Sequence, residues 1–327
     1  NVLSDSKNSV SHETYSFEIL SVKFIKNCDN FLDNDRQPTY QRRKSPMNNT
    51  DIRNLYGLKY NPFLPDLPPE ALYAIPGSES FALRVQSMAE YGGFALITGE
   101  PGLGKSKTLQ KIAYQLEQIP DLTVGVMQRP QSKLGDFYRE LGELFNVNMS
   151  PSNRYGGFKA LRDRWKSHCQ STLLKPVLLI DEAQQVSAEC LTELRILQSH
   201  KFDSQSLLFT ILCGDNRLPD RFRTADLLPL GSRIGPRLLL EPLSPEQLQD
   251  YLHFALDQAG NSQLMSEELI LTLSGHAANN LRILNQIAAE LLAAAAQHNL
   301  PCIDESLFFQ LFSPSASKPR RSRRSKQ

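Results

Sequence analysis

From residue 51 onward, short apolar runs alternate with amphipathic segments of roughly 10 to 18 residues, the pattern left by β-α units wound around a parallel sheet. The runs 94–98, 122–127, 177–180 and 207–213 read as buried strands, each followed by glycine, proline or a carboxylate. Helical spacing of apolar positions follows at 106–117, 134–145, 158–171 and 188–198. Beyond about residue 240 only helical patterns remain. Ser244-Pro245-Glu246-Gln247 is a capping-box start with proline at the first helical position, and that helix runs to Gly260. Ser266 opens another that stops near Gly275, and 279–298 is a long Ala/Leu-rich third. The pattern predicts an α/β core over 51–241 and a small all-helical domain over 242–312.

Between the first strand and its helix lies Gly99-Glu100-Pro101-Gly102-Leu103-Gly104-Lys105-Ser106, the G-x-x-x-x-G-K-[ST] phosphate loop in its required strand-to-helix setting. Glycines let such a loop curl until successive backbone N–H groups point at a β-phosphate, and the helix N-terminus adds partial positive charge. Lys105 then reaches the β- and γ-phosphates of ATP, the Ser106 hydroxyl binds Mg²⁺, and Lys107 extends the cationic start of the helix. The run 177–180 ends in Asp181-Glu182. Asp181 can hold the Mg²⁺ shell while Glu182 polarises a water for in-line attack on the γ-phosphate.

Hydrolysis needs further polar groups. The strand 207–213 ends in Gly214-Asp215-Asn216, where either Asp215 or Asn216 can orient the attacking water or simply cap the turn. Arg233 precedes a last strand expected at 237–240 and is a candidate finger toward the nucleotide of a neighbouring subunit. Arg282 lies on the helical domain, from which it can fold back onto the phosphates.

This arrangement of loop, acidic strand, sensor strand, finger and helical lid resembles the AAA+ ATPases, with a P-loop three-layer parallel-sheet core. The resemblance runs from Leu55 to about Phe312 and is closer to the ExeA-like group, which includes secretion ATPases and the TnsC/TniB/MuB-like helpers of DNA transposition. It is carried by Tyr56-Gly57-Leu58-Lys59-Tyr60-Asn61-Pro62-Phe63, by Glu193-Leu194-Arg195-Ile196-Leu197 through Phe202, by Ser232-Arg233-Ile234 and by the start of the lid at Leu243. The resemblance implies ATP-dependent homo-oligomerisation, with Asn61, Pro62 and Phe63 near the adenine. The chain departs from it at Asp215-Asn216, where relatives have Gln-Pro, and at Leu281, which stands in a proline's place before Arg282.

Composition narrows the partners. The 36 Lys+Arg and 35 Asp+Glu balance to +1, yet the last ten residues hold Lys318, Arg320, Arg321, Arg323, Arg324 and Lys326 and no acid. The rest of the chain, with 30 basic against 35 acidic groups, is −5. A short Ser/Pro/Arg tail over 313–327 reads as disordered and suited to nonspecific phosphate contact by counterion release. Lys159, Arg162 and Lys166 lie on the outer faces of the helix at 158–171 and are either solvated or track a DNA backbone; in the transposition relatives the corresponding region lines DNA. On that helix Phe158, Leu161, Trp165 and Cys169 recur at core spacing. Taken with this tail, the resemblance to the transposition helpers implies duplex DNA and a transposase or other mobile-element protein as partners, with protein-directed secretion or remodelling as the alternative.

The five cysteines are odd in number and contain no C-x-x-C pair, so neither a disulfide framework nor a zinc ribbon is indicated. The longest apolar stretch, 287–296, includes Glu290 and falls short of the roughly 20 residues that span a bilayer. No membrane association and a cytoplasmic location are expected. The polar, Asn/Ser-rich residues 1–50 read as a poorly ordered extension, of which 1–46 come before the first methionine, Met47.

Overall fold

The computed structural model describes residues 48–149 and 153–312. Its centre is a parallel sheet built from β1 (Gly93–Gly99), β2 (Val124–Met127), β3 (Val177–Ile180), β6 (Phe209–Gly214) and β7 (Ile234–Leu240), in the spatial order β2-β3-β6-β1-β7. Between β3 and β6 in the chain, β4 (Ser199–His200) and β5 (Gln205–Ser206) form a small antiparallel hairpin. The three central strands are buried along nearly their whole length, whereas the edge strands β2 and β7 alternate between buried and exposed positions. This follows from layering: helices cover both faces of the middle of the sheet, and only the edges reach water.

One face of β1, β3 and β6 presents Phe94, Leu96, Leu178, Ile180 and Leu212 to α4 (Leu134–Leu144), α5 (Arg154–Thr172) and α6 (Ala188–Gln198). Alternation along a strand turns Ala95, Ile97, Leu179 and Ile211 to the other side, where α2 (Ser78–Tyr91) and α3 (Lys105–Glu117) lie. The strand at 207–213 thus begins two residues later than the apolar run suggests. The last strand begins three residues earlier, at Ile234, because Gly235 and Pro236 hide its alternation.

Trp165 is 1% exposed and meets the Phe145 ring edge-on at 5.4 Å, and Leu161 is wholly buried beside it. The apolar row on α5 is therefore core. Arg162 on the same helix is half-buried, stacks over the Phe158 ring and donates to the carbonyls of Ile196, Leu197 and Ser199. Its charge is committed to closing the C-terminal end of α6, an engagement that sequence spacing does not reveal. Lys159 is exposed, and Lys166 pairs with Asp163 at 3.7 Å. Arg320, Arg321, Arg323 and Arg324, like the extension before residue 48, lie outside the described residues.

After β7 come α9 (Pro245–Ala259), α10 (Glu267–His276), α11 (Leu281–His298) and α12 (Glu305–Phe312), following two single-turn helices α7 (Leu218–Arg221) and α8 (Leu228–Gly231). The capping box forms as expected: Ser244 Oγ accepts from the Gln247 N–H at 3.3 Å and Gln247 Oε1 accepts from the Ser244 N–H at 2.9 Å. Gly260 ends α9 in the left-handed conformation, φ 98°. The short α1 (Asn49–Tyr56) packs against α11. The Asn261 side-chain amide donates to the Tyr56 carbonyl at 2.9 Å.

Emptying the Trp165 site leaves a cavity that rigid helices cannot close. Trp165→Ala is expected to lower stability by about 3–5 kcal/mol, measured by urea unfolding; a loss below about 1 kcal/mol would take Trp165 out of the core.

Candidate functional site

All five strands run the same way, so the loops after β1, β3 and β6 emerge at one edge, the crevice where α/β proteins bind ligands. At that edge the chain encloses a cavity of about 720 Å³. Tyr60, Pro62, Phe63, Leu64 and Ile75 form an apolar wall. Pro101, Gly102, Gly104, Lys105, Ser106 and Lys107 form the floor, and Glu182, Gln184, Asp215 and Arg217 form the far end. Tyr251, Arg282 and Asn285 close it from the helical side.

The loop's curl depends on two left-handed glycines, Gly102 at φ 89° and Gly104 at φ 91°, a region costly for residues with a Cβ. At Gly102 the missing side chain also matters for packing, because a Cβ there would collide with the Asn280 side-chain amide. Asn280 caps α11, its Oδ1 accepting from the backbone N–H of Arg282 at 3.0 Å, while its Nδ2 donates to the Pro101 carbonyl at 3.0 Å. The Arg282 N–H also donates to the Gly102 carbonyl at 3.2 Å. Lys105 is only 7% exposed and donates from Nζ to the Glu100 carbonyl at 3.0 Å. Lys107 lines the cavity but turns its ammonium to the Pro65 carbonyl and to Gln110. Leu103 is buried as an anchor of the loop.

Asp181 accepts from the Glu182 N–H at 2.9 Å and stands beside Cys213, whose thiol is pushed well above its usual range by burial and then by that carboxylate. Glu182 takes φ 50°, ψ 37°, a left-handed strain characteristic of functional positions. Its Oε2 accepts from Gln184 Nε2 at 2.5 Å, and Gln184 Oε1 accepts from the Asp215 N–H at 3.2 Å. Gln184 thereby ties the acid after β3 to the end of β6. Arg221 fixes the turn from below, donating to the carbonyls of Gln184 at 2.6 Å and Val186 at 2.8 Å. Sequence reasoning passed over both residues; the polar Gln184 two places after the acid pair was the available signal.

Asp215 faces the cavity, and its Oδ2 accepts from Arg217 Nε at 2.8 Å and Nη2 at 2.5 Å. These bonds hold its carboxyl below the usual carboxylate range. Asn216 is exposed and does not line the cavity. Neither does Asn61, which is buried and accepts from the Phe63 N–H at 3.1 Å, a turn that sets Pro62 and Phe63 against the cavity. Tyr251 donates to Asn285 Oδ1 at 2.8 Å, and burial pushes its hydroxyl up to about 12.

Arg233 lies elsewhere. It immediately precedes β7, at the sheet edge opposite the loop, about 20 Å away along seven residues of strand. There it pairs with Asp203 at the tip of the β4–β5 hairpin and with the Pro229 carbonyl. It cannot serve its own chain's cavity.

Residues 88–222 match the profile of the AAA domain, and the architecture is that of the P-loop AAA+ fold. Among curated proteins the chain is similar to general secretion pathway protein A of Aeromonas hydrophila, 30% identical over 246 residues, 73% of this chain and 44% of that protein. The chain thus spans less than half the length of that relative. Among solved structures it resembles Drosophila ORC bound to DNA (TM-score 0.57, 16% identity, 84% of this chain and 70% of that one). It also resembles domain III of the replication initiation protein DnaA from Thermotoga maritima (0.53, 21%, 76% and 96%) and Cdc6p from Pyrobaculum aerophilum (0.55, 15%, 74% and 67%). At these identities the structures establish the fold and nothing finer. Among the described residues no helix is long and apolar enough to cross a membrane.

Lys105 supplies the buried cation of the loop. Lys105→Ala is expected to abolish ATP binding in a fluorescence titration while the melting temperature stays within a few degrees; retained affinity would move the phosphates elsewhere.

Proposed function

We propose that the chain binds and hydrolyses ATP and that the bound nucleotide governs its assembly into homo-oligomers on duplex DNA, where it recruits or stimulates a transposase or another mobile-element protein. The observation that carries the nucleotide part is the single cavity in which an apolar wall, a left-handed glycine loop with a buried lysine, and an acid strained into place converge. The base stacks against Pro62 and Phe63, the phosphates take the loop's N–H groups and Lys105, and Arg282 approaches from the helical side. Ser106 and Asp181 offer one hydroxyl and one carboxylate, a donor set that suits Mg²⁺, which keeps most of its waters and shares the phosphates. That ion would neutralise charge developing on the phosphates. Glu182, held by Gln184, orients the water for in-line attack.

Oligomerisation is supported by Arg233, which stands too far from its own cavity to reach it, as a finger acting on a neighbour's nucleotide would. DNA is supported by the basic tail and by structures of the same fold that contain DNA. Lys159 and Lys166 remain candidate backbone contacts. The second reading, a protein-directed secretion or remodelling ATPase without DNA dependence, is favoured by the similarity to general secretion pathway protein A. Both readings share the ATPase cycle and differ in what stimulates it.

Glu182→Gln is expected to bind ATP and turn over at least about 100-fold more slowly, measured as phosphate release; near wild-type turnover would remove Glu182 as the base. ATP-dependent retention of duplex DNA is expected in a filter assay at low salt and is lost by roughly 0.3 M salt. Deleting 318–327 should weaken that retention with hydrolysis unchanged. ATPase activity indifferent to DNA at low salt would favour the protein-directed reading.

A further inference from the structure

We propose that Arg217 is a phosphate-binding residue acting within its own chain: in the ATP state its guanidinium leaves Asp215 and contacts the γ-phosphate held by the loop. This rests on the nucleotide reading of the cavity and names a group for that site that neither the loop motif nor the acidic strand supplies.

Position comes first. Arg217 follows β6, the strand that lies between β1, which carries the loop, and β3, which carries Glu182. It lines the same cavity as Lys105, Ser106 and Glu182, on the acid side where the last phosphate of a loop-bound triphosphate points. That end already holds the carboxylates of Glu182 and Asp215, so an incoming phosphate meets like charge there unless a cation accompanies it. Lys105 sits at the loop's own end, Lys107 is turned to Pro65, and Arg282 approaches from the helical side. Arg217 is the guanidinium that lines the cavity on the acid side, since Arg221 is spent on the carbonyls of the turn behind Glu182.

Its present bonding is suited to exchange. Both Nε and Nη2 converge on one oxygen of Asp215, and the other oxygen accepts from the Arg217 N–H at 2.9 Å. The backbone bond keeps Asp215 in place when the guanidinium moves. The Arg217 side chain is 78% exposed, so little packing is lost in moving it, and exposed ion pairs contribute little. A phosphate in the cavity offers the same fork more negative charge in a less polar setting. Asp215 then acts as a positioning residue that stores the arginine beside the site, which gives the acid after β6 a role other than orienting water.

The test uses the full chain carrying Glu182→Gln, so that ATP survives the measurement, with affinities for ATP and ADP read by displacement of a fluorescent nucleotide. Adding Arg217→Ala should weaken ATP about ten- to a hundred-fold, the range for one charge-assisted contact, and change ADP less than about twofold. Arg217→Lys should recover only part of the ATP affinity, because lysine lacks the fork. Asp215→Asn should keep the preference for ATP. Equal effects of Arg217→Ala on the two nucleotides, or none on either, would overturn the proposal. So would recovery of hydrolysis on mixing Arg217→Ala, with Glu182 intact, and Lys105→Ala protein, since that places the arginine in a neighbour's site. If the Glu182→Gln parent binds neither nucleotide, the cavity is not a nucleotide site, and that reading falls together with the proposal.

Discussion

Ile97 pairs with Cys213, and Leu212 pairs with Ile180, in one parallel register across β1, β6 and β3. The polar groups that the sheet brings to the cavity depend on that register, because it delivers the loop, the acid pair and Asp215 to the same edge at nearly the same height. Fully buried strands on both sides resist slippage, since a shift by one residue would carry each side chain to the opposite face. The strain at Glu182 persists because its neighbours over-determine it: Asp181 takes its N–H, Gln184 takes its carboxylate, and Arg221 holds the carbonyls that follow.

The central strands were legible because they are continuous apolar runs, and the loop was legible because its chemistry demands glycine, lysine and a hydroxyl at fixed spacing. The edge strand β7 was read short because a Gly-Pro pair conceals its pattern. The helix α2 and the hairpin β4–β5 went unread, the one because exposed Leu83 and Tyr91 blur its stripe of Phe81, Ala82, Val85 and Ala89 and the other because two-residue strands carry no period. Charged residues were the hardest. Arg162 and Arg233 look alike in sequence, yet one closes a helix end and the other is held at the far edge by Asp203. Which carbonyl or carboxylate a guanidinium meets is decided by tertiary folding, and spacing holds no record of it.

Side-chain amides, rather than ions, join the parts around the cavity. Gln184 spans from β3 to β6, Asn285 receives the Tyr251 hydroxyl, and Asn280 links α11 to the loop. An amide offers both a donor and an acceptor without charge, so these links leave the net charge of the cavity to Lys105, Lys107, Arg217, Arg282 and the acids.

The contact between α11 and the loop has a polarity of its own. The helical side uses the carbonyls of Pro101 and Gly102, whereas an anion in the loop would use N–H groups. The two partners occupy opposite poles of neighbouring peptide units. Hydrogen bonds in series polarise one another, so a carbonyl already engaged by the helix makes its peptide's N–H the better donor. An anion held by those N–H groups would therefore be linked to the docking of α11, and by reciprocity would tighten the helical side by the same factor.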